Sequence, residues 1–221
     1  MYLTTIIVSA GKGKRFRGKK QFYKLSNKII VIKTAEKFTP FSDEMIILLP
    51  KEDISKWSKK IRSIMKHKNL KILPGGKHRY DSVRIGLENI SNRCEIVCIH
   101  DAVRPFIKRK DIIKCISTAK KYGSAICAAP ATDTIKISDN SGFIERTIDR
   151  RKVYLVQTPQ IFRRDIIVKA YKQVLKKQHS SNITDDAQIV EMAGQKVKIV
   201  PTNHSNIKIT TKKDLTLCKS L

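Results

Sequence analysis

Short apolar runs rich in β-branched residues alternate along this chain with longer segments of helical periodicity. The apolar runs, which have the length of buried strands, cover residues 3–8, 45–49, 70–73, 95–100 and 124–129. The helical patterns cover residues 25–38, 53–66, 81–90 and 111–122. Strands that alternate with helices pair in parallel, because each helix carries the chain back to the edge where the previous strand began. We therefore predict an α/β fold with a Rossmann-like, mostly parallel sheet flanked by helices.

The alternation breaks between residues 132 and 160, where period-2 stretches flank the turn sequence DNSG at residues 139–142. This pattern predicts a β-hairpin. An isolated hairpin is only marginally stable, so we expect a projecting arm that packs on another subunit. Further helices are predicted at residues 164–177, 185–193 and 213–221, and short strands at 197–200 and 207–209. We expect residues 1–221 to form one domain, with residues 132–160 as its dimerisation arm.

The chain carries 46 Lys and Arg against 19 Asp and Glu, a net charge of +27. Such a charge suits a polyanionic partner, but the cations are spread over the predicted helices and no nucleic-acid recognition motif is visible, so nucleic acid is not the expected partner. No run approaches the roughly 20 apolar residues of a membrane span, and the N-terminus reads as a strand rather than a signal peptide. Five scattered cysteines favour free thiols in a reducing compartment. We therefore expect a cytoplasmic protein that does not bind membranes.

A glycine-rich, cationic loop, SAGKGKRFRGKKQ at residues 9–21, follows the first strand. Gly11 and Gly13 permit a close approach of the backbone, and successive N–H groups in such a loop bind anions. It is not a P-loop, because Arg15 stands where that motif has Ser or Thr, nor a dinucleotide loop, because Phe16 replaces its third glycine. The loop predicts phosphate binding, although a basic surface turn would have the same composition.

Two further loops follow strands that end at the same edge of the predicted sheet. GGKHRYDSV, residues 75–83, either binds a nucleotide base through its backbone or is a turn with a helix cap at Asp81 or Ser82. HDAVRPF, residues 100–106, contains Asp101, which either holds Mg²⁺ directly or through water or makes a strand-end turn. Ligands of open α/β sheets bind at the carboxyl ends of the strands, so the three loops together predict one site.

The motifs SAGKGKRF, GGKHRYDSV, HDAVRPF, AAPATDTIK, TIDR, QTPQIF, TDDA and NIKIT occur in this order. Their order and spacing, from about Tyr2 to Leu215, resemble those of the 2-C-methyl-D-erythritol 4-phosphate cytidylyltransferases of the non-mevalonate isoprenoid pathway, which have a nucleotidyltransferase-type α/β fold. HDAVRPF and QTPQ also occur in ribitol-5-phosphate cytidylyltransferases, whereas TIDR and TDDA favour the methylerythritol enzymes.

The resemblance implies transfer of CMP from CTP to 2-C-methyl-D-erythritol 4-phosphate, which gives CDP-methylerythritol and pyrophosphate. The acceptor phosphate would attack the α-phosphorus in line, with Mg²⁺ as cofactor, and no serine, cysteine or general base is needed. Three alternatives stay open: a ribitol-5-phosphate cytidylyltransferase, a sugar-nucleotide transferase that uses UTP, and a basic nucleic-acid-binding protein on an inactive transferase fold.

The resemblance also assigns residues to roles. Arg15 and Lys20 resemble the pair that stabilises the transition state, and Arg150 and Lys208 the pair that positions the acceptor phosphate. The predicted nucleotide-binding positions are Ser9, Ala10, Gly11, Gly13, Gly76, Lys77 and Ser82. The predicted positions near the acceptor or the metal are Asp101, Ala102, Arg104, Thr158 and Thr184. In this family Arg150 and Thr184 are expected to reach the partner subunit's site, which would make a homodimer necessary for activity.

Overall fold

A computed structural model describes residues 1–176 and 183–219 of the chain. Residue 177 of one predicted helix and residues 220–221 of another lie outside these ranges. The strands, in chain order, are β1 (Leu3–Val8), β2 (Lys24–Leu25), β3 (Lys28–Ile29), β4 (Glu44–Leu49), β5 (Leu70–Pro74), β6 (Ile96–Asp101), β7 (Ser124–Pro130), β8 (Ile135–Ser138), β9 (Ile144–Ile148), β10 (Tyr154–Arg163) and β11 (Lys198–Pro201). The α-helices are α1 (Ile30–Glu36), α2 (Ile54–Ile64), α3 (Arg79–Glu88), α4 (Arg109–Tyr122), α5 (Arg164–Lys176), α6 (Asp186–Met192) and α7 (Lys212–Lys219).

Seven strands form the central sheet, in the order β11-β7-β10-β6-β1-β4-β5. β10 runs antiparallel to both of its neighbours, and the other pairs are parallel. The mostly parallel sheet predicted from the alternating pattern is therefore confirmed. Because β1 and β6 are parallel neighbours, their last residues, Val8 and Asp101, lie side by side at the carboxyl edge.

Helices cover both faces of this sheet, which explains why the strands are apolar throughout rather than alternating. In β1 the side chains of Leu3 and Ile7 pack with α1, α2 and α4, whereas Ile6 packs on the other face with α3, α5 and α6. A third, smaller cluster contains Phe16 and Ile209 and lies beneath the glycine-rich loop. The third cluster thus packs that loop against the C-terminal part of the chain.

The predicted helix at residues 25–38 is wrong in its first part. Residues 24–29 form the two-stranded β2–β3 ribbon, with Ser26 in the left-handed region at φ 56°, and α1 begins only at Ile30. Ile30 N–H donates to the Tyr23 carbonyl at 2.9 Å, which closes the ribbon. Leu25 and Ile29 are both buried in the ribbon. Because they are four residues apart, they have the spacing of apolar residues on one face of a helix, which explains the wrong prediction.

Two other boundaries also differ from prediction. Residues 207–209 form no strand; Ile209 N–H instead donates to the Val103 carbonyl at 2.9 Å, and the Ile209 side chain is buried. α3 begins at Arg79, two residues before the predicted cap, because Asp81 caps from inside the helix by accepting from His78 N–H at 2.9 Å.

The predicted hairpin is present as β8 and β9, whose strands pair antiparallel between residues 135 and 148. Residues 154–160, which the prediction included in the arm, belong instead to β10, a strand of the central sheet. At the arm's turn, Phe143 is 74% exposed and Ile144 is 65% exposed.

All five cysteines are buried free thiols, as predicted. Within the described ranges, no helix combines the length and the apolar composition that a membrane crossing requires.

The contact between β1 and α3 generates a stability prediction. Ile6 is fully buried, and its side chain occupies the space left by Gly86, where an added Cβ would lie 3.0 Å from Ile6. We expect Ile6→Ala to lower the free energy of unfolding by about 2–5 kcal/mol, measured by urea denaturation. Ile113→Ala on α4, where the side chain is 46% exposed, is the matched control and should cost less than about 1 kcal/mol. Equal losses in the two variants would contradict this account of the core.

Candidate active site

The three predicted loops meet in a cleft of about 300 Å³ at the carboxyl edge of the sheet. A segment near the C-terminus that contains Lys208 completes its wall. The predicted site residues that line this cleft are Ser9, Ala10, Gly11, Gly13, Arg15, Lys20, Gly76, Lys77, Ser82, Asp101 and Lys208. Residues far apart in the sequence thus converge on one site, as the strand-end argument predicted.

A larger cavity, of about 950 Å³, lies at the opposite edge, where β1 and β6 begin. Its lining includes Lys120, Lys169 and Lys172, and none of the predicted site residues. We place the candidate site in the smaller cleft, because most of the residues predicted from the sequence to bind the nucleotide, the acceptor and the metal converge there.

The glycine-rich loop has a backbone path that only glycine permits at its centre. Gly13 has φ 64°, and a Cβ there would collide with the carbonyl oxygen of Gly18. The loop is also held from below, since Phe16 is buried and the Gln21 side-chain amide donates to the Gly11 carbonyl at 3.1 Å. Arg15 is exposed at the cleft. The loop backbone is therefore held in place, while the exposed side chain of Arg15 is available to a ligand.

The second loop, residues 75–82, folds around the hydroxyl group of Ser82. This hydroxyl accepts from Gly76 N–H at 3.1 Å and donates to the His78 carbonyl at 3.2 Å. A Cβ on Gly76 would collide with the side chain of Asp81. Ser82 thus shapes the loop, while the exposed side chain of Lys77 lies at its rim.

Asp101 stands at the centre of a group of cations. Its Oδ1 lies 3.1 Å from Arg79 Nε, and its Oδ2 lies 2.7 Å from Lys208 Nζ and 3.9 Å from Arg104 Nε. Burial opposes ionisation of this carboxyl, but Arg79 and Lys208 hold its pKa well below the usual range. Asp101 is therefore ionised at neutral pH, and it is the only acid among the described residues that line the cleft.

Lys20 is half-buried in the cleft near Lys208 and Arg15. Burial is the main cause that lowers the pKa of Lys20, and the positive charges of Lys208 and Arg15 lower it further. Three cations in one cleft repel each other, so a polyanionic ligand gains more here than it would from an isolated lysine.

Three of the predicted acceptor positions lie behind the cleft wall. Thr158 Oγ1 accepts from Asp101 N–H at 3.1 Å, and Arg104 donates to the Asn206 carbonyl at 2.8 Å, so both support Asp101 from behind. Ala102 is fully buried; its N–H donates to Val8 and its carbonyl accepts from Thr34. Ala102 therefore packs behind the cleft wall, and its place near the acceptor or the metal stays a prediction.

Arg150 and Thr184 are not brought to the cleft of their own chain. Arg150 lies after β9 at the base of the arm and donates to the Thr132 carbonyl at 2.7 Å. Thr184 is exposed just before α6, where its N–H and hydroxyl both donate to the Gln188 side chain. Neither residue belongs to the wall of this cleft.

His100, next to Asp101, does not act as a base. It is completely buried, and burial lowers its pKa to about 3, so the ring is neutral at physiological pH. Its Nε2 lies 3.1 Å from the Arg104 carbonyl. The residue packs beneath the site.

A metal ion would find one protein carboxylate in this cleft. No group of three or more His, Cys, Asp or Glu side chains that could hold a metal occurs in the part of the chain that the structure describes. Mg²⁺ typically binds through one or two carboxylates together with substrate phosphates and waters. Ionised Asp101 fits an ion that arrives with a triphosphate, and it does not fit a metal held by protein ligands alone.

The cleft is also lined by Arg79, Gln21 and Thr210, which were not predicted from the sequence. Arg79 could have been noticed because it lies inside the GGKHRYDSV motif, immediately before the predicted helix. Gln21 and Thr210 carry no local pattern that separates them from surface polar residues.

The chain is similar in sequence to proteins of one known family. The family model described as IspD, 2-C-methyl-D-erythritol 4-phosphate cytidylyltransferase, matches residues 3–221. A protein of that name from Clostridium botulinum (strain 657 / Type Ba4) is 40% identical over 218 residues, which cover 97% of this chain and 94% of the relative. One from Syntrophus aciditrophicus (strain SB) is 36% identical, with 99% and 94% covered.

Solved structures agree with this match. A 4-diphosphocytidyl-2C-methyl-D-erythritol synthase from Anaerococcus prevotii superposes with a TM-score of 0.88 at 30% identity, covering 99% of this chain and 95% of the other. A 2-C-methyl-D-erythritol 4-phosphate cytidylyltransferase from Francisella tularensis gives a TM-score of 0.84 at 30% identity, covering 100% and 99%.

The lowered pKa of Lys20 generates a prediction about ligand binding. Because Lys20 loses its proton at a lower pH than an ordinary lysine, CTP affinity should fall as pH rises from about 7 to about 10. Calorimetric titration at several pH values measures this fall. Lys20→Arg keeps the charge throughout, so its affinity should depend less on pH over the same range. An identical pH dependence in both proteins would remove Lys20 from the binding site.

Proposed function

Because the chain belongs to the 2-C-methyl-D-erythritol 4-phosphate cytidylyltransferase family and transfers CMP from CTP to that acceptor, we propose that the cationic cleft is its active site. The observation that carries the proposal is that Arg15, Lys20 and Lys208 converge on the cleft that the carboxylate of Asp101 also lines. Both substrates are phosphate anions, and this cleft has the charge, the rigid glycine backbone and the strand-end location that such substrates require.

The proposed reaction is an in-line displacement. An oxygen of the acceptor phosphate forms a bond to the α-phosphorus of CTP, and the bond to the bridging oxygen breaks, so that pyrophosphate leaves. The nucleophile is already an anion, which agrees with a neutral, buried His100 and with a cleft that lacks any nucleophile–base pair among its lining residues. The main barrier is repulsion between anions, which Arg15 and Lys20 reduce as charge develops on the phosphates.

Lys208 and Asp101 occupy the side of the cleft where the acceptor would bind. Lys208 would bind the acceptor phosphate, and its 2.7 Å contact with Asp101 keeps the ammonium group at that place before the substrate arrives. Asp101 would hold Mg²⁺ directly or through water, together with the phosphates of CTP. When bound, Mg²⁺ neutralises phosphate charge and assists departure of pyrophosphate.

The nucleotide would lie between the two glycine loops. The backbone of Ala10, Gly11 and Gly76 is open to a base or ribose, because these positions have small or absent side chains. The hydroxyl of Ser9 is buried at this surface and has no hydrogen-bond partner among the described residues. A bound nucleotide would supply the partner that this hydroxyl lacks.

We further propose a homodimer that is joined through the arm. Four large apolar side chains are exposed on the arm and at the start of β10: Phe143, Ile144, Leu155 and Val156. A partner subunit would cover them. Arg150, which lies outside its own cleft, would complete the partner's site, and Thr184 would do the same. On the basis of the sequence, we also propose that the protein is cytoplasmic and binds neither nucleic acid nor membranes.

Acceptor specificity distinguishes this function from that of a ribitol-5-phosphate cytidylyltransferase. Pyrophosphate release is measured with CTP and Mg²⁺ and with each polyol phosphate separately. We expect turnover with methylerythritol 4-phosphate, and turnover with ribitol 5-phosphate alone would overturn the proposed acceptor site.

Lys20→Ala tests the role of the loop cations. We expect kcat to fall about 10²-fold or more, as when one donor to a transition-state oxyanion is removed. The neighbouring Lys19 is the matched control, because its ammonium group pairs with Glu52 and Asp53 and lies outside the cleft lining. Lys19→Ala should change kcat by less than about threefold, as for an exposed ion pair. A Lys20 variant that is as active as the Lys19 variant would refute the assignment.

Subunit mixing tests the shared site. Lys20→Ala and Arg150→Ala proteins, each weakly active alone, should regain about a quarter of wild-type activity when mixed, since half of the dimers are mixed and each then has one complete site. Lys20→Ala mixed with Lys208→Ala is the control and should regain none, because both residues belong to the same chain's cleft. Equal recovery in the two mixtures, or none in either despite heterodimer formation by native mass spectrometry, would contradict site sharing.

A further inference from the structure

Arg79 connects the cleft to a charged group in the protein core. It is the first residue of α3, and its side chain reaches two carboxylates at once. Nε lies 3.1 Å from Asp101 Oδ1, and Nη1 lies 2.8 Å from Asp186 Oδ2. The Tyr171 hydroxyl donates to the other oxygen of Asp186 at 2.6 Å. The contacts therefore run without interruption from Tyr171 in α5, through Asp186 and Arg79, to Asp101.

Asp186 gives this connection its rigidity. It is completely buried at the start of α6, and its backbone N–H donates to the Gln160 side chain at 3.0 Å. A buried carboxylate requires a charged partner, and Arg79 is the one that the structure supplies. Because the guanidinium group is planar, holding one of its nitrogens on Asp186 fixes the direction in which Nε points. Asp186 thus determines where Arg79 meets Asp101.

Neutralising Asp101 does not by itself require Arg79. Lys208 already contacts Oδ2 at 2.7 Å, and Arg104 is 3.9 Å away. Arg79 instead occupies the other oxygen, Oδ1, so that the carboxylate is held at both ends and cannot rotate freely.

We propose that Arg79 is a positioning residue for the transfer reaction: by bridging Asp186 and Asp101, it orients the Asp101 carboxylate and, through it, the ammonium group of Lys208. Arg79 acts through Asp101, and this role needs no contact with substrate, although the side chain also lines the cleft. The inference rests on the roles of Asp101 and Lys208 given under the proposed function.

Arg79→Lys is the first test. A lysine keeps the positive charge, but its single ammonium group cannot bridge two carboxylates in the fixed geometry of a guanidinium. We expect kcat/KM for methylerythritol 4-phosphate to fall by about tenfold or more, because small displacements of positioning groups have large effects on rate. The Kd of CTP, measured by calorimetry without acceptor, should stay within about twofold, since the loop backbone is unchanged.

Tyr171→Phe is the matched control. It removes the hydrogen bond on the far side of Asp186 and leaves both contacts of Arg79 in place. Thermal unfolding should show a lower Tm, while kcat/KM for the acceptor stays within about twofold. Equal losses of kcat/KM in Arg79→Lys and Tyr171→Phe would reduce Arg79 to a stabilising residue and overturn the proposal.

A double-mutant cycle tests whether Arg79 acts through Asp101. In an Asp101→Asn background, Arg79→Lys should cause little further loss, because the group it orients is already altered. Fully additive losses would overturn the proposal, as would a folded Arg79→Lys protein with wild-type kinetics. If Arg79→Lys does not fold, Arg79→Gln combined with Asp186→Asn leaves no unpaired buried charge. This double variant should show the same loss, and normal activity would refute the inference.

The cycle also separates two kinds of failure. An Asp101→Asn protein with normal acceptor kinetics would show that the proposed role of Asp101 is wrong, and the inference about Arg79 would fall with it. An impaired Asp101→Asn protein beside a fully active Arg79→Lys protein would leave the active site in place and reject Arg79 alone.

Discussion

The buried, ionised carboxylate of Asp101 is the interaction on which the cleft depends. A carboxylate at that depth is stable only with charged partners, and the structure brings them from three separate parts of the chain: α3, the loop after β6 and the segment near Lys208. Because each partner must reach the same two oxygen atoms, the carboxylate fixes the relative positions of these segments. The same contacts hold Lys208 where a phosphate anion would bind.

The chemistry follows from this electrostatic arrangement. Arg15, Lys20 and Lys208 repel each other in the free enzyme, and this repulsion contributes to the lowered pKa of Lys20. In the proposed reaction, a triphosphate and an acceptor phosphate would relieve this repulsion, and the cations would screen the two anions from each other. Catalysis of this kind requires positioned charge and no proton transfer, so the burial of neutral His100 beneath the site has no catalytic disadvantage.

The high net charge of +27 belongs mostly to the protein surface and not to the cleft. Within the glycine-rich loop, even adjacent lysines differ: Lys19 pairs with Glu52 and Asp53, whereas Lys20 lines the cleft. The positive charge of the cleft therefore depends on which side chains converge at the strand ends. The total number of basic residues does not predict it.

Much of the architecture and most of the cleft were predictable from sequence. Alternating strand and helix patterns predict the mostly parallel sheet, and glycines and cations after β1 predict a phosphate site, because these signals are local. Local patterns failed at residues 24–29, where a buried ribbon imitates a helix, and at Ile209, which packs without pairing as a strand.

What the sequence by itself determined was the set of strands, the loops at their ends and the residue types available for phosphate chemistry. Only the tertiary structure decided that Arg79 bridges Asp101 and Asp186, that Ala102 is buried, and that Arg150 and Thr184 lie outside their own cleft. The physical reason is that a contact between residues 22 or 107 positions apart leaves no periodic trace in the chain. It exists only when the sheet order and the helix packing bring the charges together.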